Sequence, residues 1–212
     1  HLGEVLFKTS GYNASIEALL QSLALDKEHQ QSFYYLGMAY KNNQDYEKAI
    51  MNLKSATELN VDDFNSFMEL GKSYFESGQF QQALTPFNEV INIKDSEKVK
   101  GDANYYLGLS YFNLAQFNES IEAFSSAVNL NDVEFKYHYN LGLAYLKVSE
   151  VDSKNTQYEK AVDSFINSIS LDADNSNAHY YLGVAFYNLE RYGDSIDEFK
   201  SALNINQLNP NT

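Results

Sequence analysis

Apolar side chains recur along this chain at spacings of three, four and seven residues, and short polar segments such as NNQD (42–45) and DADNSN (172–177) interrupt them. Residues with these spacings lie on one face of an α-helix, whereas a half-buried strand alternates apolar and polar residues. The pattern therefore predicts an all-α chain of short amphipathic helices joined by polar turns, with no strand.

The helical pattern repeats in one register. The segment YYLGMAY at 34–40 returns as YYLGLSY at 105–111 and as YYLGVAF at 180–186. Alignment on the central Leu-Gly gives spacings of 34, 34, 37, 34 and 41 residues between six pairs: Leu2-Gly3, Leu36-Gly37, Leu70-Gly71, Leu107-Gly108, Leu141-Gly142 and Leu182-Gly183. Three equal periods indicate one supersecondary unit repeated six times, with insertions near 94–101 and 149–157 that lengthen the other two.

Each unit is predicted to be a pair of helices. The first helix carries Leu-Gly, and the second carries a small residue, Leu or Phe, another small residue and an aliphatic residue at spacings of three and four. A glycine inside a helix costs about 1 kcal/mol relative to Ala, so close packing must offset that cost. We predict about six pairs, the first with a short opening helix, at approximately 1–29, 30–63, 64–97, 101–134, 135–175 and 176–209.

This repeat resembles the tetratricopeptide repeat over essentially the whole chain. The resemblance implies an α-solenoid in which stacked antiparallel helix pairs form a right-handed superhelix, so residues 1–212 are expected to be a single solenoid. Two features depart from the family pattern. The closing Pro is absent from every unit, and the usual Trp four residues before the glycine is replaced by Phe33, Phe67, Asn104, His138 or His179.

The charge of the chain narrows the classes of partner. The chain has 29 acidic and 15 basic residues, for a net charge of −14. Such a surface repels nucleic-acid phosphates, so no nucleic-acid partner is expected, and it favours encounters with partners that have basic flanks. No apolar run approaches the roughly 20 residues of a membrane span, so none is predicted. No signal segment is recognisable at the start, but the chain could be a mature form, so this absence leaves the compartment open, with a cytoplasmic location slightly favoured.

The sequence indicates no catalytic chemistry, so we expect neither enzyme activity nor a cofactor. Cysteine is absent, and the repeat glycines stand singly inside predicted helices rather than in a phosphate-binding loop. His138 and His179 occupy equivalent positions, so a metal site with two histidines is conceivable. Their column in the family holds a buried side chain, which favours packing histidines instead.

In the family, the first helices line a concave wall at fixed offsets from the glycine. The resemblance therefore implies a groove of aromatic and aliphatic side chains with an intermittent row of amides, although the tyrosines could equally serve helix packing. The candidate groove residues are Tyr34, Met38, Asn42, Phe75, Tyr105, Leu109, Phe112, Asn113, Tyr139, Leu143, Tyr180, Val184, Tyr187 and Asn188.

The predicted function is a protein-interaction scaffold that binds a peptide or helix of a partner in this groove. One alternative is an appendage that presents substrates to an enzyme or to a secretion or assembly machine encoded outside these residues. Another is a self-assembling module. Family members that grip acidic chaperone tails use Lys, Asn and Arg over three consecutive units, and this chain does not supply that set.

The last helix is expected to be a self-association edge. Repeat arrays need polar caps, because each unit covers only its neighbours. In the repeat register, Ser195, Ala202 and Ile205 would meet the first helix of a seventh unit. We favour a symmetric homodimer through this edge over a head-to-tail contact, because closed dimers are the commonest oligomers.

Overall fold

A computed structural model describes residues 1–93, 97–152 and 155–208, and these residues form twelve α-helices and no strand, which confirms the all-α prediction. The chain divides into two compact units, residues 1–96 and 97–212. The first unit contains α1 (Leu2–Lys8), α2 (Tyr12–Leu25), α3 (Gln30–Asn42), α4 (Tyr46–Leu59), α5 (Phe64–Glu76) and α6 (Phe80–Asn92). The second contains α7 (Glu97–Asn113), α8 (Phe117–Leu130), α9 (Phe135–Asp152), α10 (Asn155–Leu171), α11 (Ser176–Asn188) and α12 (Tyr192–Leu208).

Within each unit, three helix pairs are stacked. The two helices of a pair pack on each other, and the second helix also packs on the first helix of the next pair, as α8 does on α9 and α10 on α11. The first helices are also neighbours, α7 of α9 and α9 of α11 in the second unit. The predicted single solenoid over residues 1–212 stays a prediction.

The Leu-Gly glycines let the two helices of a pair approach closely. A Cβ atom added to Gly108 would lie 2.6 Å from Cδ1 of Phe124, and one on Gly37 would lie 2.6 Å from Cγ of Leu53. Ser120, in the small-residue column, donates its Oγ hydrogen to the carbonyl of Gly108 at 2.9 Å. The close approach therefore occurs within a pair, between the glycine column and the Phe or Leu column.

Local residues define the ends of the helices. The side chains of Asp45, Asp63 and Asn175 accept backbone N–H bonds at the starts of α4, α5 and α11. Such caps satisfy donors that the first helical turn leaves unpaired. The turn inside a pair uses a residue with positive φ, seven positions after the glycine, at Ser10, Gln44, Gly78, Ala115 and Glu190.

The insertions lengthen existing helices. Helix α7 has 17 residues against 13 in α3, and it begins about one turn earlier relative to its glycine. Helices α9 and α10 have 18 and 17 residues, so both helices of the fifth pair are longer than those of the second. The short opening helix is also confirmed, since α1 has seven residues.

Candidate partner-binding surface

The predicted groove residues lie on the first helices, and each is at least partly exposed. In the second unit they come from α7, α9 and α11, which are adjacent. Leu109, Phe112, Leu143 and Val184 are half-buried. We refer to the predicted groove residues of α7, α9 and α11 as the first-helix wall of the second unit: Tyr105, Leu109, Phe112, Asn113, Tyr139, Leu143, Tyr180, Val184, Tyr187 and Asn188.

Tyr105 belongs to a polar and aromatic cluster between α7 and α9. Its ring centroid lies 5.1 Å from that of Tyr137, and the ammonium of Lys136 lies 5.2 Å from the Tyr105 centroid. The Tyr137 hydroxyl donates to Asp102 Oδ1 at 2.7 Å, and Asn140 Nδ2 donates to the Tyr105 hydroxyl at 3.4 Å. Burial raises the pKa of Tyr105 to about 12. Tyr105 therefore joins neighbouring pairs as well as lining the wall.

Tyr139 has the same double role one pair later. Its ring centroid lies 6.0 Å from that of Phe165 and 6.2 Å from that of Tyr181. Burial raises its pKa to about 12. Tyr139 and Leu143 both pack against the buried cluster that contains Phe165 and Leu182. Substitution of Tyr105 or Tyr139 would therefore affect folding as well as any binding.

Tyr180 and Tyr187 differ from these two tyrosines because their side chains are open to solvent. Tyr180 is 49% exposed and Tyr187 is 60% exposed. The Tyr187 ring touches that of Tyr192, with centroids 5.6 Å apart, and the Tyr180 ring lies 5.6 Å from that of Phe199. They are the predicted groove aromatics that are most available to a partner.

The first unit presents fewer apolar side chains on its first helices. Tyr34 and Met38 on α3 are half-buried, and Phe75 on α5 packs edge-on against Phe80 with centroids 5.3 Å apart. Burial, with a smaller contribution from Glu69, raises the pKa of Tyr34 to about 12.

Charged residues form a network on α3 and α5, the second and third first helices of this unit. Lys41 Nζ lies 2.8 Å from Glu69 Oε2 and 3.2 Å from Glu76 Oε1, and Lys72 Nζ lies 3.0 Å from Glu69 Oε1. Burial alone would raise the pKa of Glu69, but the two lysines outweigh it and hold that pKa below its ordinary value. The sequence prediction omitted this network. The available signal was the pair of opposite charges, Lys41 on α3 and Glu76 on α5, at groove positions of successive first helices.

The amide row makes bonds inside its own helices. Asn42, Asn113 and Asn188 each donate Nδ2–H to the carbonyl four residues earlier, at 2.8 Å. The bond uses one of the two N–H donors of the amide and orients the group. The expected contact of these amides with a partner backbone stays a prediction.

The structure corrects the composition of the predicted self-association edge. Ser195 is 2% exposed and Ala202 is 5% exposed, so neither presents a side chain to solvent, and Ile205 is half-buried. The exposed aliphatic residues of α12 include Ile196 and Leu203, which the sequence prediction missed. Small-column residues such as Ser120 face the first helix of their own pair, which explains why Ser195 is buried.

The two histidines of the Trp column contact the turn that precedes their helix. His138 Nε2 lies 3.0 Å from the carbonyl of Asp132, and His179 Nε2 lies 3.3 Å from that of Ala173. His179 Nδ1 also lies 2.6 Å from Glu198 Oε2. These bonds support the interpretation as packing histidines. Among the described residues, no group of three or more His, Asp or Glu side chains could hold a metal ion, and no helix is long and apolar enough to cross a membrane.

Three family models match the chain. A model described as TPR repeat matches residues 154–190, and two described as tetratricopeptide repeat match residues 30–63 and residues 66–93 and 102–131. Together the matches cover more than half of the chain, and they lie in both compact units. The chain is a tetratricopeptide repeat protein. No curated protein sequence matches it significantly.

Solved structures of this repeat family resemble the chain. The MamA protein is 23% identical, with 85% of this chain and 93% of that chain covered and a TM-score of 0.74. YrrB, described as a TPR protein with an unusual peptide-binding site, is 18% identical, with 92% and 94% covered and a TM-score of 0.73. The C-terminal part of a TPR repeat-containing protein from Cytophaga hutchinsonii is 17% identical, with 97% and 78% covered and a TM-score of 0.81. At these identities, the likeness shows the fold.

Proposed function

We propose that this tetratricopeptide repeat protein is an interaction scaffold whose first-helix wall in the second unit binds an apolar or amphipathic segment of a partner protein. The main observation behind this proposal is that the Tyr180 and Tyr187 side chains are exposed. Tyrosine is enriched in protein interfaces, because its ring buries a large apolar area and its hydroxyl can still form a hydrogen bond. Half-buried Leu143 and Val184 extend the apolar area on the same wall.

Two further features support a peptide or helix as the ligand. The wall is apolar but flanked by the Asn113 and Asn188 amides, and such mixed surfaces bind a backbone together with its side chains. The net charge of −14 favours ligands with basic flanks. The description of YrrB as having a peptide-binding site is consistent with this class of ligand.

The first unit, taken by itself, is proposed to discriminate ligands by charge and not by apolar anchoring. Its wall presents Lys41, Lys72 and Glu76 around Glu69, and paired charges exclude ligands with a mismatched charge more strongly than they add affinity.

The test uses a ligand selected from a random peptide display library on the intact protein. The Tyr180→Ala/Tyr187→Ala double variant should weaken the peptide by about tenfold or more, because two exposed rings lose their contact area. The matched control is Ile166→Ala on α10, a second-helix residue that is 47% exposed. The control should bind as the parent does. Unchanged binding by a folded double variant would place the site elsewhere.

A further inference from the structure

The second helices of the second unit share an apolar triad. It lies in the same three repeat columns on each helix, and it consists of Ile121, Phe124 and Val128 on α8, Val162, Phe165 and Ile169 on α10, and Ile196, Phe199 and Leu203 on α12.

The triads of α8 and α10 each pack against the first helix of the next pair, and the two contacts follow the same pattern. On α8, Phe124 packs with Leu141 and Ala144 of α9, and Tyr145 joins the cluster. On α10, Phe165 packs with Leu182, Ala185 and Phe186 of α11. The incoming helix thus presents Leu, a small residue three positions later and an aromatic residue four positions later. The small residue permits close approach, while the two large residues fill the space beside the Phe.

The third triad is open. Ile196 is 53% exposed and Leu203 is 56% exposed, and Phe199 is half-buried although Phe124 and Phe165 are fully buried. A cavity of about 610 Å³ lies beside it. The residues that line the cavity carry no formal charge, and they are Ser176, Asn177, Tyr180, Phe199, Ala202, Leu203 and Asn206. An apolar helix could enter this cavity without the cost of burying a charge.

We infer that the exposed edge of α12 is a docking site for an amphipathic helix of another protein. This helix presents a Leu, a small residue (Ala or Ser) three positions after the Leu, and an aromatic residue four positions after it. The internal junctions supply the template, because α9 and α11 bring this motif to triads of the same chemistry. This site is distinct from the proposed groove, although Tyr180 borders both.

A second copy of this chain does not fit as the occupant. The small residue of the motif is fully buried in α3, α5, α7, α9 and α11, where it is Ala39, Ser73, Ser110, Ala144 and Ala185. These helices are therefore already packed inside the protein and cannot present the motif to a second copy. Helix α1 exposes Leu2 but carries Val5 at the position of the small residue. The larger Val side chain would hold the helix away from Phe199. A symmetric pair would bring two copies of α12 together, and α12 does not carry Leu followed by a small residue three positions later and an aromatic residue four positions later.

Up to Leu208, the last residue that the structure describes, the chain does not turn back onto this edge in the register of the internal junctions. Helices α8 and α10 end at the closing aliphatic residues Leu130 and Leu171, and α9 and α11 begin a few residues later. Helix α12 passes the corresponding residue, Ile205, and remains helical to Leu208. The described residues thus place no helix of this chain on the edge, and the proposal assigns the occupant to another protein.

The experiment measures binding of a synthetic peptide that carries the motif. The probe is a fluorescein-labelled, end-capped peptide with the sequence of residues 176–191, and it is titrated into the intact protein while its fluorescence anisotropy is recorded. We expect saturable binding below about 1 mM, because a short isolated helix is marginal in water and must be ordered on binding. Leu203→Lys should weaken binding at least about tenfold, because it places a charge in the apolar site.

Two matched controls identify the site and the motif. Met51→Lys, at a residue on α4 that is 60% exposed, should bind the peptide as the parent does. A peptide with Val at the position of Ala185 should bind at least about tenfold more weakly, because it reproduces the side chain of α1. Circular dichroism of each protein variant checks that it is folded.

Three results would overturn the inference. These are the absence of binding up to about 1 mM, equal binding by folded Leu203→Lys, and concentration-dependent dimers in sedimentation that Leu203→Lys dissociates. The last result would make a second copy the occupant. Failure of the groove proposal appears instead as a Tyr180→Ala/Tyr187→Ala variant that still binds its own selected peptide.

Discussion

At the scale of single residues, each Leu-Gly glycine faces one bulky side chain of its own pair. Gly108→Ala would place a Cβ atom 2.6 Å from the buried ring of Phe124, and the ring cannot move without disturbing its neighbours. We expect the variant to lose about 1–2 kcal/mol of unfolding free energy, because overpacking exceeds the gain in helix propensity. Urea unfolding followed by circular dichroism measures the loss.

Gly193 provides the matched control for this substitution. It lies in α12, and a Cβ atom there would have no neighbour within 4 Å. Gly193→Ala should therefore gain up to about 1 kcal/mol from helix propensity alone. Equal unfolding free energies for Gly108→Ala and the parent would show that the glycine column is not needed for close packing.

The turn residues with positive φ give a second prediction at this scale. Ala115 has φ of 58°, whereas Gly78 occupies the same position of its pair with φ of 77°. Left-handed backbone is strained for a residue with a Cβ atom and unstrained for glycine. Ala115→Gly should therefore raise the free energy of unfolding by about 0.5–1 kcal/mol, and Gly78→Ala should lower it by a similar amount. In urea unfolding, the two variants should change the free energy of unfolding in opposite directions. Changes in the same direction would contradict the explanation.

Glu69 predicts how acid affects stability. Because its folded pKa is lowered, its contribution to the free energy of unfolding is present above the ordinary carboxyl pKa and is lost as the pH falls through the folded pKa. Glu69→Gln should cost about 1–2 kcal/mol at pH 7, since Lys41 and Lys72 lose a half-buried partner. The difference from the parent should shrink below about pH 4.5. Exposed Glu122→Gln is the control, and a loss of the same size there would contradict a specific network.

At the scale of elements, Gly101 directly follows the additional turn of α7, so it lies inside the helix and not at its start. A Cβ atom there would make ordinary contacts, 3.6 Å from Cβ of Asn131 and 3.7 Å from the carbonyl oxygen of Ala127. Gly101→Ala should therefore raise the free energy of unfolding by about 0.5–1 kcal/mol, because Ala favours the helix and fits. Urea unfolding tests this change. A decrease would mean that this turn is not helical in solution.

Element boundaries could be predicted where the chain carries local signals. The additional turn of α7 and the lengthening of α9 and α10 fit the insertion lengths, because insertions of three and seven residues are close to one and two helical turns. The turn residues with positive φ were not predicted. Only Gly78 among them is a glycine, so composition gave no common signal at those positions.

At the scale of the whole molecule, a repeat array should respond locally to damage. Stability in such an array is approximately a sum over units and their nearest neighbours. Gly37→Ala should therefore raise amide hydrogen exchange mainly in residues 1–93, and Gly108→Ala mainly in residues 97–208, as measured on proteolytic peptides. A uniform increase over both units from either variant would indicate a single cooperative structure.

The sequence by itself determined the repeat, the helix pairs and the columns that pack, because helical spacing places residues on a common face and six copies show which columns are invariant in size. The resemblance to the repeat family predicted groove positions such as Tyr180 and Tyr187. The tertiary structure decided which wall aromatics are exposed and which join adjacent pairs, since that depends on helices more than 30 residues away in the chain, as for Tyr105 and Tyr137.

The charged network around Glu69 and the exposed edge of α12 were also decided by the tertiary structure and not by the sequence alone. Lys41 and Glu69 lie 28 residues apart, and their pairing depends on how two successive first helices are placed side by side. Column spacing gives the direction of Ser195 and Ile196 around the axis of α12, but burial depends on which neighbouring helix covers that direction. Ser195 is covered by its own pair, whereas Ile196 and Leu203 point where another helix would lie, and only the packed helices distinguish the two.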